Sequence, residues 1–422
     1  MGTARGKHFS TLYRFLSRAR WNPDDLGRSL LALLLPCAGP GWIHLLVDDT
    51  LCRKSGPHFW GAGMHHDPLA STYGRGAARW IALAFGHNWV VLALWIPLPW
   101  GRGVAVPILW RLYRSKKLTP GAEYRKRTEL AAELVRLVAG WLPAGRKALL
   151  LADAEYACKT VLRALPPRVD FVGPLPMNAA LFDLPTSQPA RGRRRGKGTR
   201  LPTPRQIADD PATRWHTLRV PIYGRDVRLK VKAFDALWWS ACGEHLVTVV
   251  LTHDPSGFLQ DRAYFCTDTS LGIDEILVSF SRRWALEVAF RDTKQYLGLE
   301  EPQNGWGRRA QGARRRRKRP GAQPRARRGS RAVQRTVPLA FCAYGLVIAW
   351  YLRHGNVAQD VQRVRDRSPW YRHKLTPSFA DMLEATRREL WTTQLRAHPA
   401  LRRVPGNLAS LLPEWLLAAS AA

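Results

Sequence analysis

The sequence predicts an α/β fold: a mixed sheet with helices on its faces, and a β-strand insertion before a late helix that carries Glu287. Three observations lead there. Short apolar runs at 42–47 and 147–152 each end in carboxylates, at Asp48-Asp49-Thr50 and at Asp153-Ala154-Glu155-Tyr156. Between them lies an amphipathic stretch, 119–142, whose Leu130, Leu134, Leu137, Val138 and Trp141 recur at three and four residues. Strand-like runs then crowd 217–252, ahead of a helical stretch at 280–294 that neither Gly nor Pro interrupts.

Taken in order, residues 1–40 form a helical segment. Phe9, Leu12, Phe15 and Leu16 keep helical spacing, and Asn22-Pro23-Asp24-Asp25 offers a second helix start. The core then begins over 41–185. Its first strand, 42–47, delivers Asp48 at its end, where a rigid element suits a site. An ordinary strand-to-loop cap would use Asp equally well. Arg53, Lys54, Gly56, Gly61 and Gly63 make a glycine-rich loop region whose donors suit phosphate, though a scatter of glycines specifies little. Runs 89–96 and 104–112 read as antiparallel neighbours, and 171–175 as a further strand. The span 80–99 is long enough to mimic a membrane helix, but Gly86-His87-Asn88 interrupts it and Pro97 and Pro99 end it.

Residues 186–260 are expected to hold a basic loop and the β insertion. The loop, 191–200, has the composition of a segment that is disordered or clamped on phosphate. The insertion comprises 217–222, 227–233, 237–240 and 245–252, with turns at 223–226 and 242–244. Residues 261–306 complete the core: 262–266 is placed to rejoin the sheet, Asp268 and Asp274 suit helix caps, and the Glu287 helix follows. A basic flexible arm, 307–335, centres on Arg314-Arg315-Arg316-Arg317-Lys318-Arg319 and would hold phosphate without reading bases. The C-terminal helical region, 336–422, opens with an apolar core helix over 336–352, too short to span a bilayer.

Lys and Arg number 66 against 32 Asp and Glu, a formal charge of +34. That excess favours a polyanionic partner, most simply nucleic acid, over a membrane surface. Six cysteines without a Cys-x-x-Cys pair suggest reduced thiols in a cytosolic protein. Cys52, His58, His65 and His66 cluster but match no zinc spacing. No secretory signal is expected at the N-terminus.

Arg283, Glu287, Arg291 and Lys294 fall on one helical stripe. Alone, this reads as a solvated face in which Glu287 pairs with Arg283 and Arg291, each pair contributing about 0.2–0.5 kcal/mol. Asp48 and Asp153 upstream change the balance. Phosphodiester chemistry by two divalent ions needs such a trio of carboxylates, with the metals about 3.5–4 Å apart. Mg²⁺ prefers oxygen ligands and needs neither His nor Cys.

In this order the motifs resemble the DDE superfamily of transposases, in the bacterial insertion-sequence branch with a Tyr-x2-Arg-x3-Glu-x6-Lys signature. Phe280, Arg283, Glu287 and Lys294 keep its spacing, with Phe in the Tyr position. Asp48-Asp49-Thr50 resembles the Asp-x-Thr motif, which puts the catalytic role on Asp48 with Asp49 as the alternative; Asp153, followed by Tyr156, resembles the second motif. The resemblance spans 40–350 and implies a ribonuclease H-like fold and a DDE superfamily endonuclease. Such an enzyme cuts at insertion-sequence ends and transfers the strand, in this branch commonly through a hairpin.

The implied catalytic and metal-binding residues are Asp48, Asp153 and Glu287, holding two Mg²⁺ ions for which Mn²⁺ substitutes. Arg283 and Lys294 would contact phosphate, with Arg291 and Phe280 beside them at the DNA. Phe280 lacks the hydroxyl of the family residue. The implied partners are double-stranded DNA, at the element ends and the target, and a second copy in a synaptic homodimer; no membrane is involved. The implied setting is the bacterial cytoplasm, at the nucleoid. Relatives carry a longer end-recognition region, whereas 47 residues precede Asp48, so 1–40 is expected to be a truncated DNA-binding region. The competing reading is a catalytically inactive, DNA-binding remnant of such an enzyme.

Overall fold

The structure, a computed structural model, describes residues 10–54, 59–67, 70–71, 82–186, 194–301 and 330–397. The basic arm expected at 307–335 lies outside the described residues except for 330–335. Helices α1 (Ser10–Ser17) and α2 (Pro23–Leu34) come first. The start of α2 is the one its sequence signals: the Asn22 side chain accepts from Asp24 N at 3.1 Å, and Pro23 opens the first turn. Next come β1 (Ile43–Arg53), β2 (Gly63–His66), β3 (Leu83–Leu98), β4 (Gly101–Tyr113), α3 (Arg127–Ala139), β5 (Ala148–Ala152), α4 (Lys159–Leu162) and β6 (Val169–Leu175). Then follow α5 (Pro204–Asp209), β7 (His216–Ile222), β8 (Arg225–Leu237), α6 (Trp239–Cys242), β9 (Leu246–His253) and β10 (Arg262–Cys266). Helices α7 (Ile273–Arg282), α8 (Trp284–Tyr296), α9 (Ser330–His354), α10 (Val357–Arg367) and α11 (Phe379–Ala397) are the last elements of the described residues.

Among the described residues, ten strands join one mixed sheet in the order β2-β3-β1-β5-β6-β10-β9-β8-β7, with β4 paired to β3. β1 runs antiparallel to β3 and parallel to β5, and β5 runs parallel to β6. The central strands are apolar on both faces, as covering by helices requires: all five residues of β5 are buried, as are Ile43, Leu45, Leu46 and Val47 of β1.

Several expectations need correction. β1 does not stop at Val47. Its ladder with β5 ends there, at Val47↔Ala152, but pairing with β3 continues from Asp48↔Val91 to Arg53↔Gly86. Asp48 therefore lies within a strand, at the point where one of its two neighbours ends. Gly86 allows the continuation, since a Cβ there would stand 2.3 Å from the Cys52 carbonyl oxygen. Helix α3 opens later than the Thr119-Pro120 start, at a box where Lys126 N donates to the Glu129 carboxylate at 2.8 Å.

The strands of the expected β insertion lie in the main sheet. β10 pairs with β6 on one side and β9 on the other, so β7, β8 and β9 extend the main sheet. The stretch 280–294 is two helices that meet at Arg283, with Phe280 on α7 and Glu287 on α8. Of the basic loop, 194–200 is mostly exposed but makes contacts: Lys197 Nζ sits 3.9 Å from the Phe182 ring centre, and Gly198 N donates to Asp183 O at 2.8 Å. Residues 191–193 lie outside the described residues.

Helix α9 has 25 residues, longer than the expected 336–352, and by length and composition alone it could cross a membrane. Its most apolar window is 61% buried, however, against β4, α2 and α11. Phe341 stacks on Trp110 with ring centres 6.2 Å apart and meets Phe290 of α8 at 6.1 Å. It is a core helix.

On the same face, α2 crosses β4 so closely that a Cβ on Gly27 would lie 2.0 Å from the Ile108 carbonyl oxygen. Gly27→Ala is expected to force these elements apart and cost about 1–3 kcal/mol or more, the scale of overpacking. Urea unfolding should show a lower midpoint at unchanged slope. An unshifted midpoint would mean that the close approach is not a stability determinant.

Candidate active site

Val47 of β1 and Ala152 of β5 are the last paired residues of two parallel strands, so Asp48 and Asp153 leave the same sheet edge side by side. Successive residues of a strand point to opposite faces. Asp48 and Asp49 accordingly meet different neighbours. The Asp48 Oδ2 accepts from Arg283 Nη1 at 3.2 Å, and the other arm of that guanidinium, Nη2, reaches Glu287 Oε1 at 2.8 Å. Arg283, at the junction of α7 and α8, thus ties β1 to the Glu287 helix. Burial pushes the Asp48 carboxyl up to about 8 against the pull of Arg283, and the charges of Asp153 and Asp49 push the same way.

Asp49 is fully engaged on the other face. It accepts from Asn88 Nδ2 at 2.7 Å, Arg127 Nη1 at 3.0 Å and the buried Tyr156 hydroxyl at 3.1 Å. Arg127 Nε also pairs with Glu155 at 2.8 Å. Burial raises Glu155 to about 7, opposed by Arg127 and reinforced by Asp49 and Asp153. Of the two adjacent aspartates, it is Asp48 that faces Glu287.

Asp153 caps its own turn, its Oδ1 accepting from the backbone N of Glu155 at 3.0 Å. It also lines a cleft of about 290 Å³ with Arg262, Phe280, Arg283 and the apolar Leu175 and Met177. Phe280 is 7% exposed and packs its ring 4.8 Å from that of Tyr264 on β10. The remaining stripe residues diverge. Lys294 Nζ donates to Leu51 O of β1 at 2.7 Å and lies 3.4 Å from Glu300. Arg291 turns to Asp292 at 2.8 Å, so the expected Glu287–Arg291 pair is not among the ion pairs of the described residues.

A hard divalent cation suits part of this arrangement. Asp48 and Asp153 offer oxygen ligands close enough to repel one another, which is what such an ion relieves. Glu287, though, shares Arg283 with Asp48, and among the described residues no three His, Cys, Asp or Glu side chains converge enough to hold an ion together. Cys52, from the unmatched zinc cluster, is a buried thiol pushed up to about 11 by burial, while His58 lies outside the described residues.

Sequence reading singled out Asp48, Asp153, Glu287 and Arg283 but not the Asn88–Arg127 support of Asp49. Those contacts join residues 39 and 78 positions apart in the chain, and no spacing announces them. Glu155 and Tyr156 did carry a signal, being adjacent to Asp153 in the second motif.

The raised Asp48 carboxyl gives stability a definite pH dependence. An unfolded chain loses this proton near its ordinary 3.8, the folded chain only near about 8. Between these values the folded state holds more protons, so its stability falls as pH rises through that window. Asp48→Asn should be the more stable protein at pH 8 in the presence of EDTA, by roughly 1–3 kcal/mol, with little difference near pH 4. Denaturant midpoints at the two pH values check this; equal midpoints for the two proteins at pH 8 would contradict it.

No curated protein matches the sequence. The cryo-EM structure of a piggyBac transposase synaptic complex with hairpin DNA is a loose structural likeness. It has a TM-score of 0.32 and 10% identity, over 88% of this chain and 67% of that one. The family model described as DDE superfamily endonuclease matches residues 2–233, taking in Asp48 and Asp153 and ending before Glu287. That match spans more than half of the sequence, and the chain belongs to the DDE superfamily endonuclease family.

Proposed function

We propose that this protein is the transposase of a bacterial insertion sequence, which cuts double-stranded DNA at the element ends and joins the freed strand to a target. The observation that carries the reading is the Val47↔Ala152 register, which sets Asp48 beside Asp153, with Arg283 drawing Glu287 of α8 to the same edge. The strand sequence β4-β3-β1-β5-β6, antiparallel and then parallel, supports a ribonuclease H-like core extended by the inserted strands. The formal charge of +34 supports a polyanion partner.

Asp48 and Asp153, with Glu287 as the third carboxylate, are the residues that would hold Mg²⁺ or Mn²⁺. Bound there, the ions would supply an activated water and neutralise charge at the scissile phosphate. The chain's own groups do the rest. Arg283 and Lys294 take phosphate oxygens, and Arg291, largely exposed at the side chain, adds a further cation for the backbone. The apolar side of the Asp153 cleft, including Phe280, excludes water from one flank. Asp49 stays outside the chemistry and fixes the Asp153 turn through Tyr156. Action as a homodimer at paired ends, through a hairpin, and a bacterial cytoplasmic setting belong to the same proposal.

The test is nicking of a duplex bearing the element's own terminal repeat, with Mg²⁺ or Mn²⁺. Asp48→Ala, Asp153→Ala and Glu287→Ala are each expected to lower the rate by at least about 10²–10³-fold, the scale for losing one group that stabilises transition-state charge. Undiminished cleavage by the Glu287 variant would remove that residue from the mechanism. Salt-sensitive DNA binding with no nicking in either metal would instead identify an inactive, DNA-binding remnant, a reading that the missing hydroxyl at Phe280 favours.

A further inference from the structure

The position of Arg283 is at odds with three carboxylates gathered round an ion. Its two terminal nitrogens are divided between Asp48 and Glu287, at 3.2 and 2.8 Å, and its side chain is 19% exposed. A planar guanidinium whose two arms each bind a carboxylate stands where a shared cation would otherwise bring those oxygens together. We propose that Arg283 is a resident countercharge: it holds Asp48 and Glu287 in place while metal is absent, and exchanges them for a DNA phosphate when metal arrives.

This rests on the metal-dependent reading above and adds a property to it, namely that metal and DNA bind cooperatively. A divalent ion that takes Asp48 and Glu287 releases the guanidinium. Phosphate that draws the guanidinium away leaves the carboxylates free for the ion. Each ligand removes the competitor of the other, and the coupling must be reciprocal. Arg283 can make the exchange because it lies at the α7–α8 junction and also lines the Asp153 cleft, so one side chain borders both the carboxylate pair and a space open to the substrate.

Lys294 provides the comparison. It lies on α8 with Glu287 and carries the same charge as Arg283, but its hydrogen bond and ion pair among the described residues go to Leu51 O and Glu300, not to Asp48 or Glu287.

Mn²⁺ binding to the full chain, followed by the electron paramagnetic resonance signal of the free ion, tests the proposal without any turnover. Arg283→Gln is expected to bind Mn²⁺ about tenfold more tightly than the unaltered protein in the absence of DNA, within the usual range of coupling. Lys294→Gln should change affinity by less than about threefold, as loss of a charge that contacts neither carboxylate would. Short duplex DNA should tighten Mn²⁺ binding by the unaltered protein, and Arg283→Gln should abolish that gain. Arg283→Lys, which keeps a charge that cannot fork between two carboxylates, should fall between the two and serves if the Gln variant does not fold.

Equal Mn²⁺ affinity in the unaltered, Gln and Lys proteins would overturn the countercharge role while leaving the metal site standing. So would an equal gain from Lys294→Gln, which would reduce the effect to overall charge. Failure of all of them to bind Mn²⁺ would overturn the metal site itself and this proposal with it.

Discussion

The site depends on where the parallel ladder between β1 and β5 stops. Pairing ends at Val47↔Ala152, yet β1 continues along β3 for six more residues, to Arg53. Asp48 is thus fixed by a strand on one side and open on the other, and Asp153 begins the turn that fills the vacated side. Backbone hydrogen bonding holds both positions to within the tolerance of a sheet. A carboxylate on a free loop would have to pay for that ordering out of its own contacts.

Crowding carboxylates at such an edge costs free energy, and the chain offsets it with one guanidinium on each face. Arg283 serves Asp48 and Glu287; Arg127 serves Asp49 and Glu155. The two arrangements differ in what remains. Asp49 also accepts from Asn88 and Tyr156, so both of its oxygens are engaged. Against the burial that raises it to about 8, Asp48 has the Arg283 guanidinium and the backbone N–H of Asp49, which donates to its Oδ1 at 2.8 Å. The Asp49 carboxylate has three donors, though Asn88 Oδ1 beside it is buried without a hydrogen-bond partner among the described residues, whereas the Asp48 carboxylate has two.

Much of this was readable from residues because it is local. The apolar runs before Asp48 and Asp153, the Asn22 cap of α2 and the Arg283-x3-Glu287 spacing each involve neighbours in the chain. What was misread depends on pairing. Where β1 stops is decided by β3, which pairs beyond the point where β5 ends. How the inserted strands join the sheet was not readable, because no run of residues states that β10 lies between β6 and β9. The Glu287–Arg291 pair expected from helical spacing lost to Asp292, the nearer carboxylate. Helix α9 ran past its expected start because its apolar face is set by β4 and α2, which it covers.

Phe280, which stands where the resembled signature has Tyr, has a packing role in this chain. Its ring belongs to α7, lies against Tyr264 of β10 and forms part of the Asp153 cleft, so it joins the extended half of the sheet to the site. Phe keeps that apolar contact and the cleft wall; only the polar tip is lost. Arg283 follows three residues later at the helix junction, and its reach to Asp48 and Glu287 requires α7 to be seated on the sheet. Phe280 anchors α7, and Arg283 at the junction reaches both Asp48 and Glu287, so a ring without a hydroxyl still serves the anchor.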